Sequence, residues 1–190
     1  IQGSGTFLSR GDTALNATNG ITLAAQTMTI GGQNVVNTNA GVTASGALQL
    51  AGGSGDLALT GVKVNATGNA SLTGKNVTLD AAKVDNSGQQ NATGTQIASG
   101  GALTIKATDN VNVIGSSAKA GTTLDVTADK GSVAVVSTDV ARDNQSGYTK
   151  TLSTDQQQSQ LSAGTNATIK AGDDILLSGS SVKAGGNVAL

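Results

Sequence analysis

Proline, cysteine, histidine and tryptophan do not occur in this chain, and methionine, tyrosine and phenylalanine occur once each. Glutamate is missing too, so all twelve acidic residues are aspartates. Without cysteine or histidine, the common nucleophilic triads and soft-ligand metal centres have nothing to be built from. The lack of cysteine also fits a chain that stays uncrosslinked while crossing a membrane. Aromatics are 1 % of the residues, and an ordinary globular core draws much of its buried area from large rings. A net charge of -1, dispersed as isolated lysines and aspartates, leaves no basic stripe for nucleic acid and no acidic tail. No stretch reads as a transmembrane helix or a signal peptide. Since the chain opens at Ile1, an export signal is expected to lie outside it.

What is present is narrow in kind: 27 glycines, with valine, leucine, isoleucine and alanine interleaved with threonine, asparagine and serine. Enrichment in β-branched residues and turn formers reads as all-β. Internal repetition organises the rest. Units begin at Ser45, Thr67, Gly100, Gly121, Gly164 and Gly185, at spacings of 22, 33, 21, 43 and 21 residues. Within them a first strand carries apolar pairs at Leu48/Leu50, Ala70/Leu72, Leu103/Ile105, Leu124/Val126, Ala167/Ile169 and Val188/Leu190. A second carries Leu57/Leu59, Val77/Leu79, Val111/Val113, Val133/Val135 and Ile175/Leu177. A spacing of two puts both members of a pair on one face of a strand. Five residues beyond the second pair comes a third apolar site, at Val64, Val84, Ala118, Val140 and Val182.

Three short strands per unit describe a coil of roughly triangular section. One coil cannot bury its own apolar face, whereas stacked coils cover one another at about 4.8 Å and pair their backbones. The expected fold is therefore a right-handed parallel β-helix, a β-solenoid of about 21 residues per coil, its hand following from the bias of parallel crossovers. One solenoid segment spans 1–190, with irregular coils over 1–44 and regular ones over 45–190. Two insertions, at 85–96 and 141–160, interrupt it. In 1–44, Ala14-Leu15, Ile21/Leu23, Met28/Ile30 and Val35/Val36 read as strands of one or two irregular coils. The third site recurs at Ile97 and Leu161, so both insertions leave at one corner, two coils apart and about 10 Å from each other. The first is rich in asparagine, glutamine and glycine. The second carries Arg142, the only tyrosine (Tyr148), Lys150 and Gln156-Gln157-Gln158, and its Thr149–Leu152 stretch suits a hairpin arm. Insertions on a repeat scaffold are binding loops or neutral decoration; Arg142, Tyr148 and Lys150 are the candidate contact residues, and decoration is the simpler reading.

Residues 164–190 read Gly-Thr-Asn-Ala-Thr-Ile-Lys-Ala-Gly-Asp-Asp-Ile-Leu-Leu-Ser-Gly-Ser-Ser-Val-Lys-Ala-Gly-Gly-Asn-Val-Ala-Leu. Gly101-Ala-Leu-Thr-Ile-Lys-Ala and Gly115-Ser-Ser-Ala-Lys-Ala-Gly121 echo them, and the polar insertion closes with Gln160-Leu-Ser-Ala-Gly164. This resembles the haemagglutinin repeat of filamentous haemagglutinin-type exoproteins, strongly over 67–190 and more weakly over 1–66. The resemblance implies a giant exoprotein, secreted or displayed on the bacterial surface through a dedicated outer-membrane two-partner-secretion transporter. Some such proteins are adhesins and others are sticks that present a toxin in contact-dependent inhibition. The family's Asn-Pro-rich secretion motif and its Val-Glu-Asn-Asn toxin boundary are absent, so the resemblance is to the central shaft. The expected function is structural: no enzyme, no cofactor, no metal, no nucleic acid and no small-molecule substrate. The first alternative is a module whose insertions contact a host receptor or the surface of a target bacterium. The second is a polysaccharide-active β-helix, which needs a groove of carboxylates, arginine and aromatics.

Four short motifs have bland readings beside their functional ones. Arg10-Gly11-Asp12 is an integrin-type tripeptide, but it aligns with a corner and not with an exposed loop tip. Gly52-Gly53-Ser54-Gly55-Asp56 is similar to a calcium-binding nonapeptide but places its aspartate one residue early and occurs once. Asp173-Asp174 are adjacent, so their carboxyls diverge across a strand or lie in a turn. Seven Asn-x-Ser/Thr sequons, among them Asn65, Asn69, Asn76 and Asn166, follow from asparagine alternating with threonine on outward faces.

Overall fold

The computed structural model describes residues 1–146 and 148–190; Gly147, inside the second expected insertion, lies outside the described residues. The chain folds as a right-handed parallel β-helix with three faces, each a seven-stranded parallel sheet. The first sheet stacks Thr13–Asn16, Leu48–Ala51, Ala70–Gly74, Leu103–Ala107, Leu124–Ala128, Ala167–Ala171 and Val188–Ala189. The second stacks Gln2–Gly3, Ile21–Ala24, Leu57–Thr60, Val77–Asp80, Val111–Ile114, Val133–Val136 and Ile175–Ser178. The third stacks Thr6–Ser9, Gly41–Ala44, Lys63–Ala66, Gln96–Ser99, Ser117–Ala120, Ser159–Ala163 and Ser180–Ala184.

Register follows the apolar pairs. Leu50, Leu72, Ile105, Val126 and Ile169 are successive partners in the first sheet. In the second, Leu59, Leu79, Val113, Val135 and Leu177 form one column. The inner members of that column are fully buried, and only Leu177, in the last coil, reaches 40 % exposure. The three inward columns are thus aliphatic along the stack, because period-two alternation turns every second side chain inward and stacking repeats the choice coil after coil.

Corners are held by polar side chains that reach along the stack. Just before the second strand, Asp56 Oδ1 accepts the Asn76 N–H and side-chain amide (3.1 and 2.9 Å). Asn76 Oδ1 accepts the Asn110 N–H (3.1 Å), and Asn110 Oδ1 accepts that of Ser132 (3.0 Å). Each satisfies a backbone donor that a bent strand cannot offer to the sheet ladder.

Two expectations need correction. Residues 27–36 are not part of an irregular coil. Thr27–Ile30 and Gln33–Val36 form an antiparallel hairpin, while Thr6–Ser9, Thr13–Asn16 and Ile21–Ala24 belong to the regular sheets. The hairpin is closed by Gly31 and Gly32 at φ 57° and 78°, the two positive values that a tight two-residue hairpin turn demands. Among the described residues three excursions therefore leave the solenoid, not two. Val84 and Val140, moreover, are not in the third column, which runs Val42, Val64, Ile97, Ala118, Leu161 and Val182. They lie in the first strands of the other two hairpins, Ala82–Asn86/Gln89–Thr93 and Thr138–Ser146/Thr149–Gln157. These hairpins start three residues ahead of the segments 85–96 and 141–160, because the chain leaves the coil as soon as the second strand ends.

Candidate functional site

The corner between the second and third sheets is where the molecule departs from plain repetition. Beyond the first coil, whose Ser4-Gly5 corner has neither a hairpin nor a positive φ, it is turned in two ways, in strict alternation. Where no excursion occurs, a glycine in the left-handed region makes the bend: Gly61, Gly115 and Gly179, at φ 63°, 54° and 56°. In the coils between, Ala25, Ala81 and Ser137 occupy the corner and the chain runs out into a hairpin.

Behind this corner lies a column of buried hydroxyls that composition did not reveal. Thr95 and Ser159 are fully buried and Ser116 nearly so. Thr95 Oγ1 accepts the Val62 N–H and lies 2.8 Å from the Asp80 carbonyl. Ser116 Oγ accepts the Thr95 N–H (3.1 Å) and donates to the Ile114 carbonyl (2.8 Å). Ser159 Oγ accepts the Ser116 N–H (3.1 Å) and donates to the Val136 carbonyl (2.6 Å). Ser180 Oγ donates to the Val135 carbonyl. The hydroxyls accept the N–H groups of Val62, Thr95 and Ser116 and tie them to carbonyls of the second sheet. Each lies two residues before the third-column residue, a spacing that the sequence does carry (95/97, 116/118, 159/161, 180/182). Ser159→Ala is expected to lower stability by about 1–3 kcal/mol, the usual penalty for stranding a buried donor. Chemical denaturation checks it, and a change of less than a few tenths would mean that water replaces the hydroxyl.

Outside the corner the hairpins touch one another. Asn34 donates its N–H to Asn86 Oδ1 (2.6 Å) and its side-chain amide to the Asp85 carbonyl, while Asn86 Nδ2 returns a bond to the Asn34 carbonyl. Between the next two hairpins Gln89 pairs with Arg142 across an antiparallel bridge, and Asp143 donates its N–H to the Gly88 carbonyl (3.0 Å). Ala141 donates its N–H to Gln90 Oε1 (3.2 Å).

The residues singled out in the sequence fall into three groups. Arg142 is held: Nε contacts Asp155 at 3.0 Å, and Nη1 donates to the Gln90 carbonyl at 3.0 Å. Lys150 pairs with Asp143 at 2.8 Å. Tyr148 is fully exposed in the turn of the third hairpin, and Leu152, in the strand that follows it, is 72 % exposed. Arg10, Gly11 and Asp12 lie far from these, at a corner between the third and first sheets. Arg10 is exposed, while Asp12 Oδ1 accepts the Ala47 N–H from the following coil (2.7 Å). Asp56 performs the same corner task for Asn76, which accounts for the aspartate of the calcium-like run. Asp173 and Asp174 lie in the turn between the first- and second-sheet strands of the last coil. Among the described residues no group of three or more potential metal ligands comes together.

The family model for the hemagglutinin repeat matches residues 83–148 and 140–190, more than half of the chain. The chain belongs to the hemagglutinin-repeat family. Each match takes in one hairpin strand or more together with plain coils, so the family's repeat corresponds to solenoid and excursion together. Hemagglutinin repeats belong to structural, adhesin-type exoproteins, secreted or held at the cell surface, and the family is not an enzymatic one. No curated relative and no solved structure matches the chain.

Proposed function

We propose that this hemagglutinin-repeat chain is a length of rigid shaft in a large bacterial exoprotein, serving to hold adhesive or toxic modules away from the cell that displays them. The observation that supports this most is the aliphatic interior, in which Leu15, Leu50, Leu72, Ile105, Val126 and Ile169 from successive coils stack, with no charged residue buried among the described residues. Such an interior supplies length and stiffness and no reactive chemistry. Export of the parent chain through a two-partner-secretion transporter, and its use in adhesion or in contact-dependent inhibition, follow from the family as parts of the same proposal.

The shaft reading is tested by excision in the parent exoprotein. Ala82 and Thr138 occupy equivalent places, the first residues of successive hairpins. Removing 82–137 should therefore close seamlessly and shorten the shaft by two coils, about 9.6 Å. Adherence or toxin delivery per surface copy is expected to stay within about twofold, a margin below ~0.5 kcal/mol in binding terms. Its loss at unchanged surface level would transfer the function to the removed segment. The second reading, a module that contacts a receptor or a target-cell surface, has one observation in its favour: Tyr148 and Leu152 are exposed together on the third hairpin. Replacing both with serine separates the readings, since the shaft is indifferent to it and a contact surface is not.

A further inference from the structure

The three hairpins begin at Thr27, Ala82 and Thr138, 55 and 56 residues apart, and each leaves from every second strand of the second sheet. That alternation has a dimensional cause. A hairpin is two strands wide, about 9.4–9.8 Å, and two coils rise by the same amount, since both distances are set by the hydrogen-bonded strand spacing. One hairpin per two coils therefore fills the space beside the corner completely. Hairpins on adjacent coils would have to fit four strands into the height of two.

The corner glycines bear the mark of this overlap. A Cβ added at Gly61 would meet the Ala82 Cβ at 2.5 Å, and one at Gly115 would meet Thr138 Cγ2 closer still. Ala82 and Thr138 open the hairpins of the following coils, so the second and third hairpins each overhang the plain corner before them.

From these observations we infer that the hairpins act as one element: a fin, parallel to the solenoid axis and commensurate with it, in which each hairpin is braced by the next. The second strand of one hairpin faces the first strand of its successor at both junctions. The four strands Ala82–Asn86, Gln89–Thr93, Thr138–Ser146 and Thr149–Gln157 already form a single antiparallel sheet. The first hairpin abuts that sheet through Asn34, Asn86 and Asp85. In this arrangement Arg142 is a bracing residue, since its guanidinium spans from Asp155 in its own hairpin to Gln90 in the neighbouring one. The fin adds a flange to a rod whose other corners bear none among the described residues, and it fixes a two-coil unit as the true repeat of this chain. It also imposes an exclusion rule: no two adjacent coils can both carry a hairpin at this corner.

Two alterations test the inference. The first replaces residues 81–94 with one glycine, copying the plain corners Thr60-Gly61-Val62 and Ile114-Gly115-Ser116. The three solenoid sheets should persist by circular dichroism. Amide exchange should accelerate at least tenfold in Thr27–Val36 and Thr138–Gln157, which keep their own sequences but lose the hairpin between them. Unchanged protection in both would overturn the fin and make the hairpins independent loops. Should that chain not fold, Gln89→Ala with Arg142→Ala keeps every hairpin and removes the side-chain bonds these two residues make across one junction; faster exchange in Thr138–Gln157 supports the brace, and no change refutes it. The second alteration puts residues 82–93 in place of Gly115, with a control in which residues 137–158 replace 81–94. The control should fold and the Gly115 insertion should not. Native-like denaturation of the insertion would break the exclusion rule.

Discussion

Gly115→Val is expected to destabilise the central coils by about 3–5 kcal/mol, while Gly11→Val changes stability by less than about 0.5 kcal/mol. The two glycines differ in both respects that matter. Gly115 has φ 54°, a conformation that costs an L-residue roughly 1–2 kcal/mol and a β-branched one more. Its Cβ would also press on the Thr138 methyl and, at 3.3 Å, on the Ala81 Cβ, and overpacking of that kind adds about 1–3 kcal/mol. Gly11 has open space where its Cβ would go and no positive φ. Both variants keep the apolar interior, so the comparison isolates the corner. Long repeat arrays lose cooperativity, and the measurement is best made twice: by chemical denaturation, and by amide exchange in Val111–Ile114 and Ser117–Ala120. Equal midpoints for the two variants would mean that the corner tolerates a side chain, and with it the account of why glycine alternates with hairpins would fail.

How much of this was readable in the chain itself depends on which interaction was at stake. The first and second columns could be aligned residue by residue, because Leu50, Leu72, Ile105, Val126 and Ile169 all answer to one demand, an inward aliphatic at each coil, and the structure places them as partners. Val84 and Val140 misled for a physical reason. They stand five residues beyond the second pair, as Val64 and Ala118 do, but a hairpin strand that follows the second strand directly meets that offset as well as a coil strand does, and local spacing alone cannot tell them apart. The hairpin at 27–36 was missed because its strands are four residues long and its Gly31-Gly32 turn resembles any other glycine-rich corner. Arg142, Tyr148 and Lys150 stood out as chemically unusual in a chain of small polar residues. Their roles did not, since the Arg142 partner at Asp155 is fixed by hairpin register, and its partner at Gln90 by the stacking of one hairpin on another. The buried hydroxyls had a signal, a serine or threonine two residues ahead of the third column, but they read as surface composition until the corner was seen to bury them.

The interior column itself is the place where a single change should do most harm. Leu79→Asp is expected to remove at least about 5 kcal/mol, against less than about 1 kcal/mol for Thr78→Asp one position earlier. Leu79 is fully buried between Leu59 and Val113 in adjacent coils. Losing its side chain alone would cost roughly 2–5 kcal/mol. A carboxyl in its place has no partner there and must either remain charged in a dry interior or take up a proton, and both alternatives add to the loss. Position 78 faces outward between Ala58 and Asn112, neither of them charged, so a carboxylate introduced there stays in water. Because every coil is covered only by its neighbours, the damage should be local in origin and axial in spread. Exchange protection should fall first in Leu57–Thr60 and Val111–Ile114, then outward along the stack, leaving two shorter solenoids joined by a pliable coil. A shaft with such a joint keeps its contour length and loses its reach. Thus in the parent exoprotein the same substitution should reduce target-cell contact with no loss of surface display, and an unimpaired Leu79→Asp protein would mean that the stacked interior is not what makes the rod stiff.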